Sequence, residues 1–86
     1  QGASGIDPAS GLNAAEAREL RKRLQSLDRK MNTARTKVER AKAALLEVDP
    51  YDYQALGEAQ AAIKDAEERV EALEEEWLEV AEQLEG

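Results

Sequence analysis

Apolar residues recur at alternating steps of three and four along residues 13–48, a segment that contains neither glycine nor proline. This alternation is the heptad pattern of a helix that buries one narrow apolar face against another helix. At the start of the segment, Asn13 and Glu16 have the spacing of a capping box, so we predict a helix over residues 13–48. Its predicted apolar face consists of Ala17, Leu20, Leu24, Leu27, Met31, Ala34, Val38, Ala41, Leu45 and Val48.

The same alternation resumes after a break around Pro50, which cannot continue the first helix. Asp49 has the side chain of an N-cap residue, Pro50 suits the first position of a helix, and Asp52 suits its first turn. We predict a hinge at residues 49–51 and a second helix over residues 52–85. Its predicted apolar face consists of Leu56, Ala59, Ile63, Ala66, Val70, Leu73, Trp77, Val80 and Leu84.

So short a connection predicts that the two helices run antiparallel and side by side. The predicted fold is therefore all-α, an antiparallel two-helix coiled-coil hairpin. Residues 1–12 are mostly small or polar and are predicted to form a disordered, flexible linker. Trp77 is expected to close the open end of the hairpin, and Tyr51 and Tyr53 are expected to pack onto the turn.

The inventory of residue types excludes several classes of function. The chain has 86 residues, enough for one small domain, and contains no cysteine and no histidine. Disulfide scaffolds, zinc sites built from cysteine and histidine, and catalysis that needs either residue are thereby excluded. No apolar run approaches the roughly 18 residues of a membrane span, and no GxxxxGK loop is present. We expect no catalytic residue, metal site or cofactor in this chain, and no membrane contact.

Charge is distributed unequally between the two predicted helices. Residues 13–48 hold ten basic and five acidic residues, whereas residues 51–86 hold two basic and twelve acidic residues. One interpretation is that opposite charges favour pairing within one chain over pairing of like helices, and it predicts a monomer. It predicts ion pairs Arg23–Glu76 and Arg35–Glu67, beside the repulsive neighbours Lys30–Arg69 and Asp28–Glu74.

A second interpretation concerns the cations of the first helix that point away from the second. Four of them recur on the outward side, as a positive stripe of the kind that contacts phosphates without reading bases. No aromatic residue lies in this stripe, so base stacking is not predicted. Both interpretations stay open on charge alone. The predicted phosphate contacts are Arg18, Lys22, Arg29 and Arg40, assisted by Arg21, Lys30 and Lys37.

Three segments carry a family resemblance: residues 16–20 (EAREL), residues 51–56 (YDYQAL) and residues 75–82 (EEWLEVAE). In order and spacing they resemble the C-terminal coiled-coil domain of Uup-type ABC-F ATPases. In that family two ATP-binding cassettes are followed by a linker and a two-helix hairpin. One departure is Glu76, because the family often has arginine immediately before the tryptophan.

The resemblance implies that this chain is part of a longer cytoplasmic ATPase, whose cassettes lie upstream with their ATP and magnesium. It also implies an accessory role, since such domains are linked to DNA binding in Uup-like members and to ribosome association in the wider family. The expected partner is therefore nucleic acid, either DNA or ribosomal RNA. The alternative is a structural or protein-interaction module that docks on the parent cassettes or another protein through Leu46, Leu78 or the hinge tyrosines.

Overall fold

The computed structural model describes the backbone of residues 6–7 and 12–85 and the side chains of residues 13–85. Helix α1 (Ala14–Leu46) and helix α2 (Tyr53–Glu85) have 33 residues each and pack side by side. The predicted all-α hairpin is confirmed. Strands β1 (Ile6–Asp7) and β2 (Leu12–Asn13) form a two-residue antiparallel ladder, which the sequence pattern does not predict. The rest of the predicted linker at residues 1–12 lies outside the described residues.

The start of α1 follows the predicted capping box. Asn13 has extended backbone angles, and its side-chain oxygen accepts the Glu16 backbone N–H at 2.8 Å. The Glu16 carboxylate in turn accepts the Asn13 backbone N–H at 3.2 Å. Two backbone donors at the helix start are thereby satisfied, so the helix begins at Ala14.

The first helix ends at Leu46, two residues earlier than predicted. The backbone N–H groups of Glu47 and Val48 donate to the carbonyls of Ala44 and Leu45 at 3.1 and 3.2 Å. These bonds reach back only three residues, so they tighten the last turn and satisfy carbonyls that would otherwise lack a partner. The connection between the helices is therefore residues 47–52, longer than the predicted hinge at residues 49–51.

The second helix is capped by Asp52, and the prediction that Asp49 caps it is wrong. Asp49 instead accepts the Tyr51 N–H with its carboxylate at 2.9 Å and the Asp52 N–H with its carbonyl at 2.9 Å. Pro50 suits the second position of such a turn as well as the first position of a helix, because both need its fixed φ. The carboxylate of Asp52 accepts the Ala55 N–H at 3.0 Å, so α2 begins at Tyr53.

The apolar faces of the two helices form a single lengthwise seam, as predicted. Every predicted seam residue is buried or half-buried. The buried residues lie in the middle of the seam and partly toward the open end, whereas near the hinge the seam is only half-buried because alanine contributes little bulk there. The buried seam residues are Leu27, Met31, Ala34 and Val38 of α1 and Leu73 and Val80 of α2.

Trp77 is half-buried and packs against the buried cluster that includes Leu27 and Met31. The prediction that it closes the open end is wrong, because it lies about two turns before the end of α2. Val80 comes after it and is only 1% exposed. A seam between two helices cannot surround an indole ring on every side, so part of the side chain stays exposed, although its Nε1 is buried without a hydrogen-bond partner among the described residues.

The molecule is a thin rod with principal extents of 71 × 15 × 11 Å. In so narrow an object each helix keeps most of its circumference exposed, so any binding surface is a helix face. Among the described residues, neither helix combines the length and the apolar character needed to cross a lipid bilayer.

Candidate nucleic-acid interface

The four main predicted phosphate contacts lie on one face of α1. With 3.6 residues per turn, they fall within an arc of about 40°, roughly opposite the apolar seam, along about 33 Å of helix. All four side chains are exposed. We call this surface the α1 stripe; it consists of Arg18, Lys22, Arg29 and Arg40.

The cations of the α1 stripe are mostly unpaired. Lys22 Nζ lies 3.4 Å from Glu19 Oε2, in a pair whose side chains are more than 70% exposed and therefore strongly screened. Arg18, Arg29 and Arg40 form no ion pair with any side chain among residues 13–85. Their guanidinium groups therefore have hydrogen-bond donors available to an external anion.

Thr36 lies on the same face of α1 as the stripe, and its hydroxyl donor is already used. The Thr36 hydroxyl donates to the Asn32 backbone carbonyl at 3.0 Å, a bond that keeps the side chain against its own helix. In the structure, the hydrogen bonds available on this face come mainly from the cations.

The three assisting cations lie on both sides of the α1 stripe. Helix geometry places Lys30 and Lys37 at one edge and Arg21 at the other, about half the helix circumference from Lys30. All three are exposed. The seven predicted contacts therefore cover one half of α1, and no flat surface touches Arg21 and Lys30 together.

Ion pairs between the helices follow the prediction in one case of two. Arg23 Nη2 lies 3.0 Å from Glu76 Oε2, as predicted. Arg35 pairs with Glu74 at 3.3 Å, so the predicted partner, Glu67, is wrong. Side chains on a helix lean toward its N-terminus, which for Arg35 is the direction of the open end. Glu74 lies on that side, one heptad beyond Glu67.

Both predicted pairs of like-charged neighbours do lie together. Asp28 and Glu74 line one surface depression, into which Arg35 also projects. Lys30 and Arg69 line another, together with Arg29 and Lys37. In the first pair, Arg35 forms an ion pair with one of the two carboxylates, that of Glu74. The second brings four cations together, and none of the four forms an ion pair with residues 13–85.

Arg69 is the residue that sequence reasoning did not assign to the site. It belongs to the acidic helix, and the sequence pattern predicts it only as a repulsive neighbour of Lys30 and an exception to the charge of α2. The signal that identifies it is the heptad register, which places Arg69 opposite Lys30 once Glu76 is opposite Arg23.

The hinge end has a different surface chemistry. Leu46, Tyr51 and Tyr53 are 83%, 84% and 78% exposed. The prediction that the tyrosines pack onto the turn is wrong, because Val48 and Leu56 already occupy the end of the seam as half-buried residues. No lysine or arginine occurs from residue 43 to residue 63, so the carboxylates of this end are not offset locally. Leu78, on the outer side of α2, is 55% exposed, as its position predicts.

Comparison of the chain with protein-family models, with curated proteins and with solved structures gives no match. The resemblance to Uup-type domains therefore rests on the three sequence segments alone.

Proposed function

We propose that this hairpin is a non-catalytic domain that contacts the phosphate backbone of DNA or ribosomal RNA through the outward face of α1. The observation that carries the proposal is the α1 stripe, in which four exposed cations are aligned and three have no ion-pair partner among residues 13–85. A line of exposed positive side chains is complementary in charge to the phosphate backbone of a polyanion such as a nucleic acid. The sequence resemblance supports the same role, as the C-terminal domain of an ABC-F ATPase.

The charge of α2 would orient the ligand. The second helix holds most of the carboxylates and would repel a polyanion, so the nucleic acid would lie along α1. Contacts to phosphates carry no sequence information, so binding would be sequence-tolerant. With four phosphate contacts the logarithm of the affinity would fall with a slope of about −3.6 against the logarithm of salt concentration.

The test is a fluorescence-anisotropy titration of a labelled duplex with the 86-residue chain. A duplex of about 20 base pairs is long enough, because a stripe of about 33 Å matches about ten base pairs. We expect the double variant R18E/R40E to bind about a hundredfold more weakly at about 50 mM salt. Both residues are exposed, so circular dichroism should show an unchanged helical content.

The matched control is K42E/K64E, which has the same net charge but changes exposed cations outside the stripe. It should weaken binding only a few-fold. Equal losses in the two double variants would show that net charge alone matters, and absence of binding by the unaltered chain would refute the function.

A second candidate function is favoured by the exposed apolar groups at the hinge end. Leu46, Tyr51 and Tyr53 lie among carboxylates with no cation nearby, which suits a basic protein surface rather than a nucleic acid. In this alternative the hairpin docks on the parent cassettes or on another protein. It predicts no duplex binding above background. It also predicts that L46A/Y53A weakens capture of separately expressed cassettes, whereas R18E/R40E does not.

A further inference from the structure

A surface depression of about 260 Å³ lies between the two helices, and cations from both helices line it. Lys30 and Lys37 reach it from the edge of α1, and Arg69 reaches it from α2. Thr33 also lines it, and the small, buried Ala34 leaves the space open. We call it the interhelical cradle; its residues are Arg29, Lys30, Thr33, Ala34, Lys37 and Arg69.

Pairing of the helices does not account for Arg69. On this side of the hairpin, Arg23 pairs with Glu76, and the next heptad position of each helix brings Lys30 and Arg69 together. A glutamate at position 69 would continue the attraction, whereas arginine introduces repulsion. A local choice that opposes the stability of the fold is the kind of conflict that functional sites show.

We infer that the interhelical cradle binds one phosphate group of a nucleic-acid backbone, with Arg69 as the contact contributed by the acidic helix. This inference rests on the proposed function for the identity of the ligand. Arg29 belongs both to the α1 stripe and to the cradle, so a backbone that follows the stripe passes the cradle opening. Arginine presents a planar fork of donors to phosphate oxygens, and a bound anion would remove the repulsion between Lys30 and Arg69.

The cradle couples ligand binding to the stability of the hairpin. A phosphate held between Lys30 and Arg69 joins the two helices, and the cradle exists only when they are paired. A ligand that binds the folded chain alone shifts unfolding to higher temperature. Phosphate binding at this site should therefore stabilise the hairpin. Contacts confined to the outward face of α1 would not need the second helix, so they would not link binding to the pairing of the two helices.

The experiment uses the variant R69E with K64E as its matched control. Both variants reverse one exposed cation of α2, but Lys64 lies on the outer side of α2, outside the cradle. We expect R69E to bind the duplex about tenfold more weakly than the unaltered chain at about 50 mM salt, with a salt slope smaller by about one. K64E should stay within about twofold, since it loses no phosphate contact.

Unfolding temperature separates loss of the site from loss of the fold. R69E should unfold about 1–3 °C higher than the unaltered chain without ligand, because an attraction replaces a repulsion. Tripolyphosphate, compared with sodium chloride at equal ionic strength, should raise the unfolding temperature of the unaltered chain and of K64E. It should leave that of R69E unchanged.

The outcomes distinguish the cradle from the proposed function. If the duplex binds and R69E and K64E weaken it equally, the cradle is refuted and the function of the α1 stripe stands. If the duplex does not bind but tripolyphosphate stabilises every chain except R69E, the cradle stands as a phosphate site and the nucleic-acid function is refuted. If neither ligand acts, both are refuted.

Discussion

Arg23 and Glu76 are 53 residues apart in the chain, and their side chains meet at 3.0 Å across the two helices. Their contact identifies the register of the antiparallel pair near the open end. One heptad closer to the hinge, the same register places Lys30 beside Arg69 in the interhelical cradle. The ion pair and the cradle are therefore consecutive features of one side of the hairpin.

The Arg23–Glu76 pair should contribute little to stability. The two side chains are 55% and 41% exposed, so water and salt screen their attraction. A double-mutant cycle with R23A, E76A and R23A/E76A, followed by urea unfolding, should give a coupling energy of about 0.2–0.5 kcal/mol. A coupling well above 1 kcal/mol would show that this pair, rather than the apolar seam, holds the register.

The buried seam should carry most of the stability. Leu73 is 2% exposed, and L73A should lower the free energy of unfolding by about 2–5 kcal/mol, enough to unfold much of so small a domain. L78A removes the same atoms from a side chain that is 55% exposed, so it should change stability by less than about 0.5 kcal/mol. Helical content by circular dichroism during urea titration measures both. Equal effects of the two substitutions would contradict the assigned seam.

The N-cap of α2 should be Asp52, so its carboxylate should contribute more to stability than that of Asp49. The variant D52A removes the acceptor of the Ala55 N–H and should destabilise the hairpin by about 1 kcal/mol. D52N keeps an acceptor and should stay close to the unaltered chain. D49A removes only the acceptor of the Tyr51 N–H in the turn and should cost less than D52A. Thermal unfolding of the three variants checks the order, and a larger loss in D49A would restore Asp49 as the cap.

Gly57 lies in the first part of α2, and a methyl group added there meets no atom within 4 Å. Alanine loses less backbone entropy than glycine when a helix forms. G57A should therefore raise the free energy of unfolding by about 0.5–1 kcal/mol, measured by urea unfolding. A destabilising effect would mean that α2 is not a regular helix at this position. Duplex affinity should not change, because Gly57 belongs to α2 and carries no side chain that could contact phosphate.

The sequence predicted the parts of the fold that depend on periodicity. A seam of two heptad series needs only the spacing of apolar residues, and every residue assigned to it is at least half-buried. The cap of α2 was harder, because Asp49 and Asp52 are both suitable caps and only the backbone geometry of the turn decides between them. The partner of Arg35 was missed for a similar reason: Glu67 and Glu74 occupy equivalent heptad positions, and the choice depends on the direction of the side chain.

The cations proposed to contact phosphate were chosen from the sequence on α1 and from the structure on α2. Exposed cations that recur at helical spacing are visible in the sequence, and the structure places all seven predicted contacts at the surface. The register predicted Arg69 as a neighbour of Lys30, but only the structure shows that both line one depression together with Arg29 and Lys37. The exposure of the tyrosines was missed although Val48 and Leu56 were both predicted to end the seam, because the heptad pattern does not describe how the side chains of a turn are placed.

The central claim, that the outward face of α1 contacts the phosphate backbone, is tested most directly by nuclear magnetic resonance. Spectra of the ¹⁵N-labelled chain would be recorded while a duplex is added at about 50 mM salt. We predict that the largest shifts occur at Arg18, Lys22, Arg29 and Arg40, with a further shift at Arg69 and none at Tyr51. Shifts concentrated at the hinge end, or spread along the outer side of α2, would contradict the claim.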